Sequence, residues 1–260
     1  MVFRKHYTLM LSFCVFIRFR LCFMMAFLGA AGFLAFNHAL SGALLLWLAS
    51  FCVCAASCAF NNTTDVKEDT SNNRGIVIPG RKFSYPIIFV FFATGFIFAS
   101  YVSALSLAFY LLVMFSGVLY SGLRLKEYTG VKNLNSGFVL PLLFLMGAGL
   151  SYQSLVSYFL ISLFVFAGSI VSDIRDHDGD AKAGVKTLSV RYGRDVAKKT
   201  AYISLLIVLS LVIYLGIEKI IILPVFSIAM IGLIELDMPR KAHGVAAFSF
   251  VGLAAWSLIS

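Results

Sequence analysis

Apolar residues run through the chain in long blocks separated by short polar interruptions, a pattern of lipid-facing segments rather than of amphipathic surface elements. Nine blocks are readable, roughly 10–36, 39–60, 84–102, 104–122, 135–151, 154–172, 200–217, 219–235 and 242–259. A spanning helix needs about 20 mainly apolar residues, so crossings consume nearly all of the 260-residue chain. The pattern predicts an all-α polytopic membrane protein of about nine transmembrane helices, a single unit over 1–260.

The interruptions differ in charge. Those at 61–83, 123–134, 173–199 and 236–241 are basic, as is the N-terminal segment, whereas the turns near 38–41, 102–104 and 151–154 carry no charge. The alternation predicts a cytoplasmic N-terminus, an odd number of spans and an outer C-terminus. Eleven of the twelve acidic residues fall on the basic side too, Glu218 being the exception. Acids that served solubility alone would not be sorted this way.

Composition removes several function classes. With 60% apolar and 13% charged residues the chain is no ordinary soluble domain. Its net charge of +9 follows from basic cytoplasmic loops and does not imply nucleic acid. Cys14, Cys22, Cys52, Cys54 and Cys58 all lie in apolar blocks without nearby histidines. They read as buried small hydrophobes rather than zinc ligands or a disulfide framework. Arg18 and Arg20 interrupt the first block, which also lacks a small-residue cleavage site, so it reads as a retained helix.

Two acidic runs carry the chemistry. Asn61, Asp65 and Asp69 recur every four residues beyond the second block, and Asp173, Asp176 and Asp180 follow the sixth at i, i+3 and i+7. Each run forms one helical face, with Asp178 pointing elsewhere. Aspartates at a membrane helix end cost free energy, which implies a partner. Two such stacks would repel unless cations sat between them, and Mg²⁺ with a clamped diphosphate uses the oxygen ligands of both. Five aspartates and a diphosphate of about −3 sum to about −8, and two Mg²⁺ leave about −4. More positive charge is needed, and Arg74, Lys126 and Lys186 lie in these loops, with Tyr120 as a hydrogen-bond donor.

These motifs resemble the UbiA superfamily of intramembrane prenyltransferases, whose signature is an NDxxDxxxD loop followed by a DxxDxxxD or DxxxD loop. The resemblance covers nearly the whole chain. Asn61, Asp65 and Asp69 stand at the first signature's positions and Asp173, Asp176 and Asp180 at the second's, followed by GDAKAGVKTLSVRYG. Tyr120 with Arg124 or, preferably, Lys126 is similar to the family's Tyr-x-x-x-Lys element. Asn62 departs from the second-position aspartate, and TSNNRGIVIPG departs from the usual spelling around the arginine represented by Arg74.

The resemblance implies a bundle with a central lipid-accessible cavity capped by cytoplasmic loops. It also implies Mg²⁺-dependent ionisation of a polyprenyl diphosphate donor. In that scheme Asp65, Asp69, Asp176 and Asp180 are catalytic and metal-ligating, Asn61 and Asp173 complete the metal set, and Arg74, Tyr120, Lys126 and Lys186 hold the diphosphate. The implied acceptor is lipid-soluble or amphiphilic. The branch likeness favours geranylgeranyl transfer to geranylgeranylglyceryl phosphate over an aromatic acceptor such as a quinone precursor or chlorophyllide. A secondary transporter would instead keep ionisable groups near the midplane with broken helices. A CDP-alcohol phosphotransferase would need a DGxxAR…GxxxD spacing that is absent. A membrane terpene cyclase would need no acceptor.

Overall fold

The computed structural model describes residues 12–64, 81–125 and 128–260. Every regular element among them is helical. A helical turn over 12–16 leads into α1 (Phe19–Asn37), followed by α2 (Leu40–Thr64), α3 (Arg81–Val102) and α4 (Ala104–Gly122). The fifth crossing is composite: α5 (Val131–Leu134), a π-helical segment (Asn135–Val139) and α6 (Leu142–Ala148). Then come α7 (Tyr152–Ala183), α8 (Leu188–Tyr192), α9 (Arg194–Leu215), a 3₁₀ turn (Glu218–Ile220), α10 (Leu223–Glu235) and α11 (Pro239–Ile259).

Eight of the described helical segments are long and apolar enough to cross a bilayer. The exception to the expected nine is α10, with 13 residues, which at about 1.5 Å per residue is about 20 Å long. Its two flanks nevertheless touch opposite ends of the bundle. Glu218 accepts from Trp256 Nε1 at 2.6 Å near the C-terminus, and Asp237 pairs with Lys198 at 3.3 Å near the start of α9. Among the described residues nine helical passages therefore run between the two ends, eight of them of spanning length, and the protein is a multi-pass membrane protein.

The expected 173–199 loop is helical through Ala183. Spanning 32 residues, α7 is about 48 Å long against a hydrocarbon core of about 30 Å, so its C-terminal turns project beyond the lipid. Gly184 ends it in a left-handed conformation (φ 72°). Val185 N–H donates to the Asp180 carbonyl at 2.9 Å and Gly184 N–H to that of Ala181 at 3.2 Å, a Schellman closure. At the opposite, uncharged end the turns are short and serine-capped. Ser103 caps α4, and Ser151 with Ser154 forms a capping box on α7.

Within the membrane, side chains satisfy backbone groups that lipid could not. Pro141 brings no N–H to the fifth crossing, which runs as a π segment just before it, and Tyr158 donates its hydroxyl to the Phe138 carbonyl at 2.7 Å. Tyr110 donates to Phe92 O and Ser106 to Met146 O, both at 2.7 Å. The cysteines are all free, and Cys22, Cys52 and Cys54 are buried as expected.

The bundle closes because α1 packs against α2, α6 and α11 at once. Glycines let α1 and α6 meet backbone to backbone: a Cβ on Gly32 would overlap Phe144 O, and one on Gly147 would overlap Gly29 O and Phe33 N. Small residues at such a seam allow the dispersion contacts that drive helix association in lipid. Gly32→Val is expected to destabilise the fold by about 1–3 kcal/mol or more, since neither backbone can move aside. The check is the thermal transition of the detergent-solubilised protein, with Gly244→Val on α11, where a Cβ meets nothing within 4 Å, as the tolerated comparison.

Candidate functional site

The projecting end of α7 carries Asp173, Asp176, Asp178 and Asp180, in the last turns of a helix whose macrodipole is negative there. Acids in that position need compensating partners, and three of them find partners of different kinds. Asp173 is fully buried. Lys132 Nζ lies 2.5 Å from its Oδ1, and Asn133 Nδ2 donates to its Oδ2 at 3.0 Å. Asn133 Nδ2 also reaches Ser169 Oγ at 3.1 Å, and Ser189 donates to the Asp173 carbonyl at 2.8 Å. One aspartate thus ties α5, α7 and α8 together.

Asp176, half-buried, receives a fork from Arg175, Nε to Oδ1 at 2.8 Å and Nη2 to Oδ2 at 2.6 Å. Asp178 points away from the others as expected and pairs on the surface with Arg194 at 2.9 Å. Such an exposed pair contributes about 0–1 kcal/mol. Asp180 is buried, at 5% exposure. Lys186 is exposed beyond the helix cap, and Thr187 behind it is buried and caps α8.

The first run is described only to Thr64, so Asp65, Asp69 and Arg74 lie outside the described residues, as does Lys126. Asn61, half-buried, accepts from Ser121 Oγ at 3.3 Å, which brings it beside the residue following the half-buried Tyr120. Arg124 is exposed with a left-handed backbone (φ 51°). The short connection from α4 to α5 carries this group over to Lys132 and hence to Asp173, so both clusters stand at one end of the bundle.

Asn62 has its own structural reason. Its Nδ2 donates to the Phe16 carbonyl at 2.7 Å and its Oδ1 accepts from Arg18 Nη2 at 2.6 Å. Phe16 and Arg18 flank a break in the first apolar block, where Arg18 takes a left-handed conformation (φ 51°). An aspartate could accept from Arg18 but could not donate to Phe16.

A cavity of about 790 Å³ opens between the N-terminal segment, the fifth crossing, α7 and α11. Arg18, Arg20, Lys132, Arg175 and His243 line it among mostly apolar and small side chains. The sequence reading treated Lys132 only as a topology-determining base and did not single out Arg175 or His243. The signal for Arg18 and Arg20 was present, because a cation inside an apolar block is costly and needs a use.

The donor set tests a metal. Among the described residues no three His, Cys, Asp or Glu side chains converge on a metal position. Lys132 and Asn133 hold the two oxygens of Asp173, as Arg175 holds those of Asp176, and each oxygen keeps a further lone pair. Asp180, and Asp173 and Asp176 through those lone pairs, fit a hard divalent ion that draws further oxygen ligands from elsewhere.

The described residues thus form an all-helical bundle with an acid-bearing end and a cavity of about 790 Å³ lined by cations and apolar side chains. The UbiA prenyltransferase family model matches residues 21–259, so the chain belongs to that family and is a prenyltransferase. The digeranylgeranylglyceryl phosphate synthase of Methanosarcina mazei is 32% identical over 214 residues, 73% of this chain and 72% of that protein. The digeranylgeranylglyceryl phosphate synthase of Methanocaldococcus jannaschii is 27% identical over 76% of this chain and 72% of its own length. A UbiA homolog from Archaeoglobus fulgidus, solved bound to GPP and Mg²⁺, superposes with a TM-score of 0.76 at 18% identity, covering 96% of this chain and 100% of that one.

The Asp173 cluster generates a prediction that separates support from ligation. Asp173→Asn leaves Lys132 without its counter-ion, and Lys132→Met leaves a buried carboxylate with one donor fewer. Each is expected to cost about 1–3 kcal/mol, discounted from a fully buried pair because Lys132 is 31% exposed. The Lys132→Met/Asp173→Asn double variant, which removes both charges, is expected to be more stable than the sum of the single losses. Additive losses in a thermal-stability cycle would mean that the pair does not act as a unit.

Proposed function

We propose that the chain transfers a geranylgeranyl group from its diphosphate to geranylgeranylglyceryl phosphate within the membrane. The observation that carries this reading is the buried Asp180 at the projecting end of α7, the helix that also lines a cation-bearing, mostly apolar cavity through Ser172 and Arg175. The names of the methanogen relatives support the acceptor. The Mg²⁺ of the Archaeoglobus fulgidus homolog supports the cofactor. We take the whole chain as one functional unit with its polar end cytoplasmic.

In the reaction the allylic C–O bond breaks with its electron pair going to the diphosphate. The acceptor hydroxyl oxygen then bonds the allylic carbon and loses its proton to solvent or to the leaving diphosphate. Asp173, Asp176 and Asp180, with Asp65 and Asp69 from the first run, are the proposed metal ligands, with Asn61 beside them. When bound, Mg²⁺ neutralises the charge that grows on the leaving group. Tyr120 and the basic residues Arg74, Lys126 and Lys186 are the proposed donors to the remaining phosphate oxygens, where preorganised positive charge stabilises the departing anion. The Asp173 carboxylate also orients Lys132, and the backbone carbonyl of the same residue accepts from Ser189 and holds α8 against α7.

The test is product formation by the solubilised enzyme given donor, acceptor and Mg²⁺, compared across two aspartates. Asp180→Asn keeps the volume but removes a charge and a strong ligand, so turnover is expected to fall about 10²-fold or more. Added Mg²⁺ is expected to restore part of the loss, because mass action offsets weaker coordination. Asp178→Asn, which touches only Arg194, is expected to keep wild-type turnover. Full activity of Asp180→Asn with chelator present would sink the metal assignment.

The orientation follows from the basic loops. Single cysteines at positions 71, 128 and 183, in a background cleared of the native five, are expected to react with an impermeant thiol reagent from the cytoplasmic side alone. Labelling of any one from outside reverses the orientation.

A further inference from the structure

The cavity is basic in a particular way. Among the described residues Arg18, Arg20, Lys132, Arg175 and His243 line it, and no acidic side chain does. Three of these side chains keep donors available. Lys132 gives one of its three N–H bonds to Asp173. Arg175 spends Nε and Nη2 on Asp176 and Ser172, which leaves Nη1. Arg20 makes no hydrogen bond or ion pair among the described residues. It also stands in the first turn of α1, where the macrodipole disfavours a cation unless an anion is nearby. The rest of the lining is mostly apolar, and two of its side chains, Val15 and Phe19, are exposed at 43% and 41%.

We propose that this cavity binds the phosphate monoester of the amphiphilic acceptor, apart from the donor's diphosphate, with Arg20, Arg175 and Lys132 on the phosphate oxygens and the prenyl ether tail along the apolar lining toward lipid. The proposal rests on the prenyl-transfer reading above. The charge pattern separates the two anions. A diphosphate that arrives with divalent ions is received by carboxylates, as at Asp176 and Asp180. A phosphate monoester of charge about −2 without a metal needs a pocket with cations and no acids. The assignment also gives the break at Arg18 a use, because the left-handed turn held by Asn62 sets Arg18 and Arg20 at the cavity's rim.

The experiment is steady-state kinetics of the full chain in neutral-lipid vesicles, with geranylgeranyl diphosphate, Mg²⁺ and either geranylgeranylglyceryl phosphate or its phosphate-free counterpart. Arg20→Gln is expected to raise KM for the phosphorylated acceptor about 10-fold while KM for the donor stays within twofold and kcat is nearly kept. It is also expected to shrink the wild-type preference for the phosphorylated acceptor by a similar factor. In wild-type enzyme, millimolar glycerol phosphate is expected to compete with the acceptor and not with the donor, a readout that needs no variant to fold. Adding anionic phospholipid is expected to leave the acceptor KM within twofold. A rise in donor KM instead, an unchanged acceptor KM, or competition by the bulk anionic lipid would each overturn the proposal. Wild-type enzyme that yields no prenyl ether with either acceptor would overturn the transfer reading itself.

Discussion

Lipid supplies no hydrogen-bonding partner, so each polar group that this chain buries has to be answered from within the chain, and Asp173 is the most demanding of them. A carboxylate out of water is tolerable only when paired and hydrogen-bonded. Lys132 and Asn133 do this from α5, while Ser189 on α8 donates to the Asp173 backbone carbonyl. The bonds to this one residue therefore fix the geometry of the polar end. The start of the fifth crossing is pinned to α7, and the turn after Gly184 is folded back on it.

The same constraint shapes what lies below. The fifth crossing must begin at Lys132 and still carry Pro141 through lipid, and it does so by a π segment whose Phe138 carbonyl takes the Tyr158 hydroxyl. Since α7 supplies both Asp173 and Tyr158, it grips that crossing twice along its length. The seam between α1 and α6 then packs without side chains at Gly32 and Gly147, which brings the first crossing against the fifth. The cavity lies along these elements, and its cations come from the N-terminal segment, the fifth crossing and α7.

Much of this was legible as pattern. Apolar block length gives the helices, and alternating basic loops give the sidedness of the clusters, because both arise from transfer free energy, which is local in sequence. The i, i+3, i+7 spacing found the face of α7 and set Asp178 apart, since helical periodicity is local too. Partners were not legible. Lys132 and Asp173 are 41 residues apart, and Lys132 looked like one more topology-determining base. Without its partner Asp173 looked equivalent to Asp176 and Asp180, and the pairing that sets it apart did not show. The length of α7 was missed for a related reason: hydropathy marks where lipid ends, not where a helix ends, and Gly184 with its Schellman closure decides the latter. Asn62 read as a neutral departure, but its two bonds depend on a chain reversal near Phe16 that no spacing announces.

At the polar end the described carboxylates and cations meet in pairs of unequal weight. A surface pair like Arg194 with Asp178 contributes little. Arg175 carries more: it lines the cavity while its guanidinium forks onto Asp176. A cation exchanged between a carboxylate and a ligand oxygen couples two neighbouring sites without either moving far. Arg175 is placed for that: two of its donor nitrogens are held by Asp176 and Ser172 while the side chain lines the cavity, so the acid-bearing end of α7 and the cavity share one residue.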